Sequence, residues 1–270
     1  MPELPEVETI RRGLEPLVGG KTIAAVKVRD HRLRWPVPAD LNEKMRGQPL
    51  TSIGRRAKYL LWNTPTGTCL VHLGMSGSLR VIPQQTPLHT HDHVCWQLSG
   101  GQEIRLRDPR RFGSVLWTEE PLAHPLLASL GPEPLGNEFN ADLLYSNSRG
   151  RKSAVKNFIM DARQVVGVGN IYASESLFRS AISPLRAAGR ISKGRYEHLA
   201  VAIRTVLQEA VHAGGTTLRD FARDDGSPGY FAHSLAVYGK EGSGCTRCGG
   251  TIKRRVIGQR STFYCPGCQT

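Results

Sequence analysis

Four cysteines close the chain in two pairs, Cys245/Cys248 and Cys265/Cys268, with sixteen residues (249–264) between them. Paired Cys-x-x-Cys knuckles bring four thiolates to the corners of a tetrahedron, the donor set of structural zinc. A redox-active pair is the rival reading, weakened by two pairs standing together in a chain with only two other cysteines, Cys69 and Cys95. The spacing therefore predicts one structural Zn2+. Between the knuckles, GGTIKRRVIGQRSTFY reads as two strands and a turn and carries Lys253, Arg254, Arg255 and Arg260. These cations are either a solvated basic face or a grip on phosphates.

A second chemistry sits at the other end. Met1 precedes Pro2, and removal of the initiator leaves proline as a free secondary amine. Such an amine adds to an aldehyde or to a sugar's anomeric carbon and yields an iminium. Its pKa starts near ~8, and a helix N-terminus disfavours the ammonium further. Adjacent Glu3 is placed to give a proton. The plain alternative is a proline that only starts a helix.

The elements that must position these residues are legible in outline. Residues 3–18 read as a helix with Val7, Ile10, Leu14 and Leu17 on one face, ended by Gly19-Gly20. Seven strand-like runs follow between residues 22 and about 118: TIAAVKVR, KYLLWNT, TCLVHLGM, SLRVI, HVCWQL, EIRLRD and SVLWT. They predict an antiparallel sandwich or flattened barrel. After a proline-rich connector, helices are expected at 140–149, 153–160, 169–180 and 193–212. The last carries a stripe of Leu199, Ile203, Val206, Leu207 and Val211. The class is α+β: an N-terminal antiparallel β-sandwich with a leading helix (1–120), a linker (121–136), a helical domain (137–234) and a zinc finger (235–270).

Net charge is +13. That favours a polyanionic partner, since phosphate contacts release counterions, although a basic protein with no nucleic-acid role carries the same excess. No run of 18 apolar residues exists, so no membrane span is expected. The acidic, proline-broken start lacks the pattern of a signal peptide. A cytosolic chain is expected, with Cys69 and Cys95 reduced and buried in the core.

PELPEVETIRRGLEP, RRAKYLL, HLGMSGSLR, HDHV, DPRRFG, LGPEPL, VGVGNIYASESLF, GGTTLRDF, GYF and QRSTFYC together resemble the bacterial formamidopyrimidine-DNA glycosylases, also called 8-oxoguanine DNA glycosylases. These blocks run from end to end in the family's order. ELPE is more similar to this branch than to the related endonuclease VIII branch, which usually has glycine for the leucine. The resemblance implies base excision from duplex DNA, by extrusion of the damaged nucleotide, followed by strand cleavage through β,δ-elimination.

It also implies residue roles. Pro2 is then the nucleophile on C1′, Glu3 the acid that assists sugar opening, and Glu6 a supporting carboxylate. Lys58 assists elimination, and Arg260 engages phosphates beside the lesion. For that arginine electrostatic stabilisation is the physical role, because a guanidinium hardly releases protons. Met75, Arg110 and Phe112 fill the hole left by the extruded base. His91, Lys152, Lys156 and Asn170 contact DNA, and the helical domain carries a helix–two-turns–helix motif around VGVGN. Residues 216–230 correspond to a loop that closes over the flipped base. Arg219 departs from the lysine often found in the GGTTL-x-D motif, as Ala162-Arg163 depart from LMDN or LLDQ. Double-stranded DNA is the expected partner, with no membrane and no obligate protein partner, and the protein is expected to be a monomer. Two other readings remain: a zinc-finger DNA-binding module without chemistry, which leaves Pro2, Glu3 and Lys58 unexplained, and the sibling glycosylase of oxidised pyrimidines.

Overall fold

The computed structural model describes residues 2–215 and 234–270. They fall into two compact units, one of residues 2–128 with 214–215, the other of residues 129–213 with 234–270.

The first unit opens with α1 (Leu4–Val18). Val7, Ile10 and Leu14 are buried as the spacing predicts, but Val18 completes the stripe and Leu17 is 42% exposed. At helical pitch both positions flank the stripe, 18 beside 7 and 14, and 17 beside 10, and it is the side of Val18 that the sandwich covers. Next come β1 (Ile23–Val28), the short α2 (Leu41–Met45), β2 (Ser52–Arg56), β3 (Tyr59–Thr64), β4 (Gly67–His72), β5 (Ser78–Pro83), β6 (Asp92–Leu98), β7 (Gln102–Arg107) and β8 (Ser114–Thr118).

The strands form two four-stranded antiparallel sheets, ordered β1-β6-β7-β5 and β2-β3-β4-β8. Trp62 of β3 and Trp96 of β6 are fully buried and meet edge-on at 4.6 Å. That contact joins the two sheets into a sandwich. The eighth strand is a correction to the seven read from sequence. In SIGRR only Ile53 points inward, so glycine and two arginines conceal the alternation that marks a strand. Cys69 and Cys95 are buried as expected. Burial, and then the charge of Glu103, pushes the Cys95 thiol up to about 11, keeping it neutral.

A single helical turn, α3 (Pro125–Ala128), interrupts the connector. The second unit holds α4 (Ala141–Ser148), α5 (Val155–Met160), α6 (Asn170–Arg179) and α7 (Lys193–His212). Asn140 caps α4 by accepting the Leu143 N–H. The expected stripe of α7 is buried, together with Tyr196 and Ala210. Strands β9 (Lys253–Ile257) and β10 (Arg260–Tyr264) form the C-terminal hairpin. Its turn, Gly258-Gln259, has φ of +56° and +61°, as a two-residue type I′ hairpin requires. A small core of Phe178, Val237, Cys245, Ile252 and Cys265 packs this hairpin onto α6. Among the described residues no helix is long and apolar enough to cross a membrane.

Candidate active site and nucleic-acid interface

At the start of α1, Pro2, Glu3 and Glu6 are buried. Glu3 is the cap residue. Its N–H donates to Glu6 Oε2 at 2.9 Å, and its own carboxylate accepts the Glu6 N–H. This reciprocal capping box fixes both carboxylates and the chain direction at Pro2. Gly215, at φ +80°, packs against the same point: a Cβ there would stand 3.0 Å from Glu6 Oε1. The loop expected at 216–230, with Arg219, lies outside the described residues.

One turn along, Glu8 ties the helix to the sheet. Burial alone would raise its pKa, but bonds from Arg11, Arg12 and Arg55 outweigh that and hold it at about 2. Arg55 spans from Glu8 to the Ala57 carbonyl, at 3.1 and 2.9 Å. Ala57, at φ +54°, and Lys58 form the tight turn between β2 and β3. Lys58 is half-buried there.

Tyr59 pairs with His72 across the ladder, with rings 4.7 Å apart. Burial, aided by the charges of Lys58 and Arg34, pushes the His72 imidazole down to about 4. Neutral, its Nδ1 accepts the Gly74 N–H at 3.0 Å. Sequence reading passed over His72. The available signal was its place in HLGMSG, directly before the turn that carries Met75.

Three turns of this unit carry the other expected contacts. Phe112 is 44% exposed and Met75 half-buried, not packed in the core. The Arg110 guanidinium lies 4.8 Å from the Phe112 ring centroid, a cation–π pair that holds both side chains at the surface. His91 is exposed, while its neighbours are structural: His93 Nε2 bonds the Asp108 carbonyl oxygen at 2.9 Å, and Asp92 pairs with Arg105 and Arg107.

In the second unit the four cysteine sulfurs all lie within 4.8 Å of one another. Two separations are 3.9 Å (Cys245–Cys268) and 3.5 Å (Cys248–Cys265). A tetrahedron with bonds of about 2.3 Å spaces sulfurs about 3.8 Å apart, so the set fits Zn2+. Such an ion is structural: it staples the hairpin that presents Arg260. Arg260 follows the turn directly and is exposed.

Asn170 is the first residue of α6. It donates to the Ser261 carbonyl at 3.0 Å and to the Tyr238 hydroxyl at 3.3 Å. Gly167, at φ +79°, makes the preceding turn. Lys152 is exposed. Lys156, expected to contact DNA, is enclosed within this unit. Its side chain is fully buried, and Nζ donates to Asn170 Oδ1 (2.6 Å), Thr262 Oγ1 (2.7 Å) and the Ser261 carbonyl (3.2 Å). These acceptors tie α5 to α6 and to the C-terminal hairpin, and the side chain has no solvent exposure. One further residue escaped the sequence. Glu175 is buried and accepts the N–H groups of Ala236, Val237 and Tyr238, which sets Tyr238 beside Asn170. A carboxylate among the buried residues of NIYASESLF was the available sign.

Comparison with known proteins agrees with this layout. Residues 1–115 match the formamidopyrimidine-DNA glycosylase N-terminal domain, 130–222 the H2TH domain of the same enzymes, and 242–270 a zinc finger found in FPG and IleRS. A formamidopyrimidine-DNA glycosylase of Magnetococcus marinus is 58% identical over 273 residues, covering 100% of this chain and 99% of that protein. The chain belongs to the formamidopyrimidine-DNA glycosylase family. Two solved glycosylase structures share its fold over full length. A Lactococcus lactis FPG variant in complex with Fapy-dG containing DNA is 31% identical, with TM-score 0.93, covering 100% of each chain. MutM in complex with carbocyclic 8-oxo-G containing DNA is 32% identical, with TM-score 0.92, also covering 100% of each.

Proposed function

We propose that this glycosylase-family chain removes oxidised purines, 8-oxoguanine and formamidopyrimidines, from duplex DNA and then cleaves the strand at the abasic site. The observation that carries the reading is the buried start of α1, where Pro2 adjoins the Glu3–Glu6 capping box. The complexes of its relatives with Fapy-dG and 8-oxo-G DNA support the substrate class.

In this reading the nitrogen of Pro2 attacks C1′ and the glycosidic bond breaks, its electron pair leaving with the base. Glu3 gives a proton to the ring oxygen as the sugar opens, which leaves an iminium between Pro2 and C1′. Glu6 holds the Glu3 N–H in place. The iminium acidifies C2′–H, so proton loss expels the 3′ phosphate and a second elimination expels the 5′ phosphate. Lys58 assists elimination. Met75, Arg110 and Phe112 occupy the space left by the extruded base, and His91 and Lys152 hold DNA. Asn170 and Arg260 meet phosphates, Arg260 through charge. A single lesion needs a single copy, so the working form is a monomer in the cytosol.

Borohydride trapping tests the reading. A covalent complex is expected on 8-oxoguanine opposite cytosine, and it is lost in Pro2→Gly while affinity for lesion DNA is retained. Mass spectrometry should show the initiator methionine removed. No covalent complex on any damaged duplex would leave a zinc-finger DNA binder. Preferential trapping on an oxidised thymine would assign the chain to the pyrimidine-directed sibling.

A further inference from the structure

Asp108 is fully buried beneath three turns that face solvent. One carboxylate oxygen accepts the Ser76 hydroxyl at 2.7 Å, the other the Gly113 N–H at 2.7 Å. Ser76 follows Met75 directly, and its hydroxyl oxygen also accepts the Arg110 N–H at 3.3 Å. The Asp108 backbone engages the third turn: its N–H donates to the His91 carbonyl at 3.0 Å, and its carbonyl binds His93 Nε2. It also closes its own turn, accepting the Arg111 N–H at 3.2 Å.

The fit between these turns leaves no slack. Gly74 and Gly113 approach so closely that a Cβ on Gly74 would lie 2.3 Å from the Phe112 carbonyl carbon, and one on Gly113 would lie 2.7 Å from the His72 carbonyl oxygen. Arg34 N–H donates to the Gly113 carbonyl at 3.0 Å. A buried carboxylate with two short bonds on different turns fixes their mutual position, and removing it strands both donors.

Resting on the proposed excision of oxidised bases, we infer that Asp108 is the positioning residue for lesion extrusion. Through Ser76 and the Gly113 amide it holds Met75, Arg110 and Phe112 as one rigid wedge, and its backbone sets His91 at the same time. None of its hydrogen bonds reaches Pro2, so its effect falls on opening the duplex and not on the iminium chemistry.

The test compares two substrates with the zinc-loaded, full-length enzyme. One is a duplex with 8-oxoguanine opposite cytosine and 2-aminopurine beside the lesion. The other is a preformed abasic site in single-stranded DNA, which has no orphaned base to replace. Asp108→Ala is expected to slow excision and the 2-aminopurine signal about 100-fold, the order expected when a reacting arrangement shifts by about 1 Å. Ser76→Ala and Asp108→Asn should lose about 3- to 10-fold, because the asparagine oxygen still accepts the Gly113 N–H while the serine hydroxyl turns to accept its amide. Cleavage and borohydride trapping on the single strand should stay within twofold of the parent for the two milder variants, which also keep the test open if Asp108→Ala misfolds. Equal losses on both substrates, or no loss on the duplex, overturn the inference. A parent enzyme that traps on neither substrate sinks the excision reading itself, and this inference with it.

Discussion

Lys156→Met separates a structural ammonium from a DNA-binding one. Methionine keeps most of the stem volume but deletes the charge, so Asn170 Oδ1, Thr262 Oγ1 and the Ser261 carbonyl each lose a donor. The Ser261 carbonyl keeps the Asn170 amide, and Asn170 is partly open to water. Thr262 is fully buried and keeps only its bond to the Arg260 carbonyl. One to two stranded acceptors at about 1–3 kcal/mol each, less the recovered desolvation of the ammonium, leave a net loss of about 2–4 kcal/mol. That corresponds to a melting shift of roughly 10 °C for a unit of this size. Hydrogen exchange in α5, α6 and β10 should accelerate about 30- to 1,000-fold, a factor of ten for every 1.4 kcal/mol. The slope of DNA affinity against salt should stay unchanged. Lys152→Met should do the reverse, leaving the melt alone and lowering the slope by about one. A Lys156→Met protein that melts within 1 kcal/mol of the parent but loses one unit of salt slope would refute the bracing role.

Three further outcomes follow from the same geometry. Chelating zinc, or Cys248→Ser, should weaken DNA binding while hydrogen exchange in residues 2–128 is unchanged; exchange rising across the sandwich would contradict this expectation. Gly215→Ala places a side chain at φ +80° and 3.0 Å from Glu6 Oε1; a loss of about 1–2 kcal/mol from the backbone alone and reduced trapping at Pro2 are expected, and a neutral thermal melt would count against it. His72 sits at about 4, below its ordinary 6.5, so the fold favours the neutral ring. Its contribution is whole above pH 6.5 and is lost as pH falls towards 4, with about 2–3 kcal/mol at stake. His72→Gln should flatten the stability profile in that window, and an unaltered profile would remove the assignment.

What the sequence revealed, and what it hid, follows the range of the interactions. The zinc knuckles, α7 and most strands are local patterns, readable from spacing alone. Pro2 and Glu3 at the helix start were readable too, because they are neighbours in sequence, whereas Glu6 came from the resemblance and its capping box with Glu3 from the structure. Strand β2 was hidden because its partners, β3 and α1, supply the burial that SIGRR does not advertise. The burial of Lys156 was hidden for a related reason: the hairpin that covers it lies about a hundred residues further along the chain. Glu175, His72 and Asp108 share that property, since each is defined by bonds to chain segments far away or by burial that composition does not signal. The exposed cations were therefore easier to identify than the buried acids and the imidazole packed behind them. Arg110 and Arg260 are exposed and recognisable by type, yet their geometry is set by Asp108 in one unit and by Lys156 with the zinc hairpin in the other. Substituting these inner residues should alter function more selectively than substituting any one surface arginine, because several contacts move together when a brace is lost.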